Sequence, residues 1–67
     1  MYDNLRAEMA RKGIGVYQLA EKAGITNQSL YRKLNGKSPF TIREAKAIKE
    51  ALDVDMSLDE LFAVTER

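Results

Sequence analysis

The chain has 67 residues, 45% hydrophobic and 31% charged, with one Pro, four Gly, no Cys and no His, which describes one small domain near the lower size limit for an unstapled core. Without Cys or His there is no disulfide framework, zinc would have only carboxylates to hold it, and any catalysis would fall to Asp, Glu, Lys or Tyr. The net charge of +1 hides a division: residues 1–49 carry ten Lys/Arg against four acids, residues 50–67 six acids against Arg67 alone, a distribution suited to an anion-binding face with an acidic far end.

A first helix is predicted over residues 2–12, where Tyr2, Leu5 and Met9 recur at helical spacing. Arg11 and Lys12 sit favourably near its carboxyl end and Gly13 stops it. Ile14 anchors the linker, and a second helix starts near Val16 with Gly15 as its cap. Leu19, Ala20 and Ala23 form its inner face, and Gly24 ends it in the left-handed conformation that Gly enters without steric cost. Ile25 plugs the turn, and Thr26 caps a third helix from Asn27 to about Leu34, held by Leu30 and Leu34. Asn35 and Gly36, both tolerant of the left-handed region, close it.

Two later helices carry start signals. Thr41 and Glu44 have the spacing of a capping box, as do Ser57 and Glu60, with Met56 and Leu61 placed as a hydrophobic staple. The fourth helix is predicted to bury a stripe of Ile42, Ala45, Ile48 and Leu52, leaving Lys46, Lys49 and Glu50 outside. Asp53 then stands where Gly would be easier, and a short fifth helix presents Leu58, Leu61 and Phe62. Five helices and no strand predict a compact all-α domain over residues 1–62 with a short tail at 63–67.

Residues 16–35 carry the most specific pattern: two short helices pivoting on Gly24, as a helix-turn-helix requires. The apolar positions leave Asn27, Gln28, Tyr31 and Arg32 facing outward from the second of them. Amides and Arg are the side chains that read base edges in a major groove. From Lys22 to Arg43 there are five basic residues and no acid.

With Leu19-Ala20, Ala23-Gly24-Ile25, Asn35-Gly36-Lys37, Thr41-Ile42, Leu52-Asp53-Val54 and Leu61-Phe62 in this order, the chain resembles the helix-turn-helix domains of Cro and cI-type phage repressors, the Xre-like family. The resemblance covers nearly everything from Leu5 to Phe62 and implies a five-helix lambda-repressor-like domain. Its third helix would lie in the major groove, and the amino end of the second would rest on a phosphate. Val16 replaces a Gln common in the family, so the backbone N–H groups of Val16 and Tyr17 would serve instead. Met9 and Leu34 occupy positions that often hold a buried Arg–Glu pair. Lys33 replaces an apolar residue, either snorkelling or leaving its space to Leu34. Pro39 comes one residue early.

Gln28 is the first candidate for a base contact, bidentate to adenine. Asn27 is read as a second adenine reader or a cap, and Arg32 as a guanine reader or a phosphate contact. Tyr31 is read as a thymine-methyl or phosphate contact, or as a half-buried ring. An ordinary solvated helix face is the plain alternative for all four. Asn35, Lys37, Ser38 and Arg43, with Val16 and Tyr17, are the phosphate candidates. Lys22, Lys46 and Lys49 are assigned to solubility. Phe62 and Val64 either pack back on the domain or form a self-complementary dimer patch.

The expected function is sequence-specific binding of double-stranded DNA by a homodimeric regulator, a repressor occluding a promoter, complete without an effector domain. The alternative is a protein-interaction module on the same scaffold, antirepressor or antitoxin-like. No enzyme activity, cofactor, metal or small-molecule substrate is expected. No apolar run approaches the roughly 20 residues of a membrane span and no signal peptide opens the chain, so a cytoplasmic location is expected.

Overall fold

The computed structural model describes residues 1–64; the last three residues of the predicted tail, 65–67, lie outside the described residues. Five helices follow in order: α1 (Asp3–Lys12), α2 (Val16–Ala23), α3 (Asn27–Leu34), α4 (Ile42–Leu52) and α5 (Leu58–Leu61). No strand occurs among the described residues. Leu5, Met9, Leu19, Ala20, Leu30, Leu34, Ile48, Leu52 and Leu61 form one core to which every helix contributes. α4 is the central element, packed against α1, α2 and α5, whereas α3 closely approaches only α2.

The local signals act as their chemistry dictates. Thr26 Oγ1 accepts from the Ser29 N–H at 3.1 Å and starts α3. At α4 the box is reciprocal: Thr41 Oγ1 accepts from the Glu44 N–H (3.1 Å) and Glu44 Oε1 from the Thr41 N–H (3.0 Å). At α5 only half of the box forms. Ser57 Oγ accepts from the Glu60 N–H, while the Glu60 carboxylate takes the Ser57 hydroxyl rather than its backbone N–H. Gly24 turns α2 into α3 at φ 75°, and Asp53 ends α4 in the same left-handed region at φ 53°.

Three expectations are corrected. Ile42 is 73% exposed, while Ala45, Ile48 and Leu52 are buried. Those three lie within about 60° of one another at 100° per residue, and Ile42 falls roughly 90° from their middle. Asn35 is not left-handed (φ −89°); only Gly36 is, at φ 78°. The Asn35 side chain instead accepts from Arg6 Nη2 at 3.2 Å, which ties α1 to the end of α3. Lys33 neither snorkels nor yields its place: its ammonium is engaged by Ser29 Oγ and Glu44 Oε2, each at 3.1 Å.

Candidate nucleic-acid interface

The turn at Gly24 sets α3 on the outside of α2, and Leu30 and Leu34 turn one side of it into the core. Gln28, Tyr31 and Arg32 are thereby left exposed, Tyr31 at 56%. Asn27 is half-buried and, because Thr26 makes the cap, its amide is not spent on capping. Three of the four candidate base readers therefore share the outer surface of α3, with Asn27 at its amino end.

The phosphate candidates lie at the start of α2, in the segment after α3 and at the start of α4. Val16 is half-buried against the core, so only its backbone can face an anion. Gly15 offers no side-chain cap, and the Gln18 side chain is bonded back to the Gly15 N–H at 3.1 Å. The N–H groups of the first turn of α2 thus lack an intrahelical acceptor. Tyr17 stands beside them, 68% exposed. Beyond α3, the Lys37 N–H donates to the Arg32 carbonyl at 2.9 Å, curling the chain back so that Lys37 follows directly on the helix end. Lys37 and Arg43 are exposed and Ser38 is half-buried. With Asn35 Oδ1 held by Arg6, the amide N–H groups of Asn35 are its remaining donors.

The bases divide by what they touch. Arg11 pairs with Glu8 at 2.6 Å, Lys33 with Glu44, Lys12 donates to the Asp53 carbonyl at 3.3 Å, and Arg6 donates to Met1, Leu34 and Asn35. Arg32, Lys37 and Arg43 make no side-chain hydrogen bond or ion pair among the described residues. Acidic Asp59 and Glu60 lie on α5, which packs on α1 and α4 and not on α2 or α3. Arg32 on α3 and Lys37 just after it are thus cations without an acidic partner; of the acids near α3, Glu44 is neutralised by Lys33, while Glu21 shares a depression with Tyr17 and Asn27.

Phe62 is half-buried in a cluster of edge-on rings, 6.3 Å from Tyr2 and 4.9 Å from Phe40, with Tyr2 and Phe40 5.1 Å apart. Phe40 had no signal in the sequence, because this cluster joins residues from both ends and the middle of the chain. Tyr2, Phe40, Phe62, Leu58 and exposed Ile42 line one shallow groove. Val64, just beyond α5, is 42% exposed.

Among the described residues no helix is long and apolar enough to cross a membrane. The sequence matches the family described as the Cro/C1-type HTH DNA-binding domain over residues 4–65. No curated protein and no solved structure matches it. The chain belongs to the Cro/C1-type helix-turn-helix DNA-binding domain family.

Proposed function

We propose that this Cro/C1-type domain reads a specific double-stranded DNA sequence with α3 in the major groove and represses by covering a promoter as a dimer. The observation that carries the reading is the joint exposure of Gln28, Tyr31 and Arg32 on α3 beside the unengaged cations Arg32, Lys37 and Arg43. Phosphate contacts from Lys37, Arg43, Asn35, Ser38 and Tyr17, with the first-turn N–H groups at Val16 and Tyr17, give affinity and register. Gln28 pairs with an adenine edge, Arg32 with a guanine, Asn27 with a neighbouring base, and Tyr31 packs on a thymine methyl.

The size of the domain supports dimerisation. The domain measures 30 × 26 × 21 Å, less than the roughly 34–36 Å of one helical turn that separates half-sites in twofold operators. One copy therefore serves one half-site. The dimer contact is assigned to Phe62 and Val64, with exposed Ile42 extending the apolar surface along the groove.

Repeated selection from a random duplex library tests the reading. The expected product is a twofold sequence bound by two chains, with its half-sites one turn apart. A library that yields no enriched sequence would refute it and favour the protein-interaction module.

A further inference from the structure

We propose that Lys33 is a positioning residue for base reading: its tie to Glu44 fixes the rotation of α3 about its own axis, and so the aim of Gln28 and Arg32, without touching DNA. The inference rests on the reading of α3 as the base-reading helix and adds what orients it.

The tie is enclosed and braced at both ends. Lys33 Nζ lies 3.1 Å from Glu44 Oε2, and the two side chains are only 12% and 19% exposed. On α3, Ser29 Oγ accepts from the same ammonium at 3.1 Å, one turn earlier on the same side of the helix. On α4, Glu44 Oε1 accepts from the Thr41 N–H at 3.0 Å, so the carboxylate is held to its own helix start and cannot swing with Lys33. The Thr41 bond, then the Lys33 pairing, hold the Glu44 carboxyl below its ordinary value of 4.5 against the opposing effect of burial, so Glu44 is a carboxylate at neutral pH.

The rest of the fold gives this tie its leverage. α3 approaches only α2 closely, and apolar contacts such as those of Leu30 and Leu34 are non-directional. Arg6 of α1 gives a directional tie only at the carboxyl end of α3, through the Leu34 carbonyl and Asn35 Oδ1; the charge-assisted bond to α4 adds a second one along the helix. Gln28 and Arg32 directly precede Ser29 and Lys33, so any turning of α3 moves all four together. At a side-chain radius of about 5–6 Å, a rotation of roughly 20° shifts a tip by about 2 Å. That exceeds the roughly 0.5 Å range of a good hydrogen bond. Arg43 neighbours Glu44, so the tie also sets the spacing between base readers and a phosphate anchor.

Lys33→Met keeps the stem and removes the charge, and Glu44→Gln keeps an acceptor for the Thr41 N–H. Both variants are first checked for wild-type helicity. Their affinities are then measured across a salt series, for the duplex selected by the wild-type chain and for an arbitrary duplex. The expected result is a specific-to-arbitrary ratio reduced about tenfold or more in both variants. The arbitrary affinity and salt slope of Lys33→Met should stay at wild-type values. An unchanged ratio in the folded variants would overturn the proposal. So would a Lys33→Met that weakens both duplexes equally and lowers the slope by about one, the mark of a phosphate contact. Failure of the wild-type chain to select any duplex would overturn the DNA-reading function itself, and this inference with it.

Discussion

Gln28 is exposed on α3, and no other side chain occupies its amide among the described residues. A bidentate pair to adenine is worth about 1–3 kcal/mol of discrimination. Gln28→Ala is therefore expected to lose that much preference for the selected duplex while its affinity for an arbitrary one is unchanged. Competition binding with both duplexes reads the two quantities together, and a parallel fall would remove Gln28 from the readers. Asp53 poses a backbone question: it holds φ 53°, where an L side chain is strained. The Lys12 ammonium bonds its carbonyl oxygen, which any residue supplies. Asp53→Gly is expected to stabilise the fold by about 0.5–1 kcal/mol, seen as a higher melting temperature; a lower one would count against it. The Asp53 cap was legible in the sequence because it depends on neighbours a few residues away. The exposure of Ile42 and the capture of Asn35 by Arg6 were not, because each depends on residues far along the chain.

At the scale of elements, the starts of α3 and α4 follow from short motifs, and each closes its bonds within three residues. Thr41→Ala is expected to cost about 1 kcal/mol in denaturant unfolding, the usual loss for an N-cap. The Glu44 carboxyl ties this cap to pH. Bonded first to the Thr41 N–H and then to Lys33, it titrates below its ordinary 4.5 in the folded chain. Its contribution to stability is therefore complete above that value and lost as pH falls through the lower folded one. Melting temperatures of the wild type and Glu44→Gln should differ at pH 7, the wild type being higher, and converge in acid as Glu44 is protonated. A difference that persists in acid would show that the contribution of Glu44 does not come from its charge. The link from Glu44 to Lys33 was hidden in the sequence. A Lys on an otherwise inward side of α3 signals a need for an acid, but nothing local says which.

At the scale of the molecule, three distant segments close on one another through Tyr2, Phe40 and Phe62. Edge-to-face pairs add about 0.5–1.5 kcal/mol each beyond buried area. Phe62→Ala is accordingly expected to destabilise the monomer by about 2 kcal/mol, on top of any loss of dimer contact, and unfolding at low concentration separates the two effects. The order of five helices and the helix-turn-helix were legible because periodicity and caps are local. The aromatic closure and the polar ties that aim α3 are tertiary, and no spacing encodes them.

The central claim is that the basic surface around α3 binds the DNA backbone. Titration of the chain onto a labelled arbitrary duplex at a series of salt concentrations tests it most directly. With several cations meeting phosphates, the expected dissociation constant is about 10⁻⁴–10⁻⁶ M at moderate salt. It should weaken steeply as salt rises, with a slope of about −0.9 per phosphate neutralised. No binding even at low salt, or binding indifferent to salt, would contradict the account.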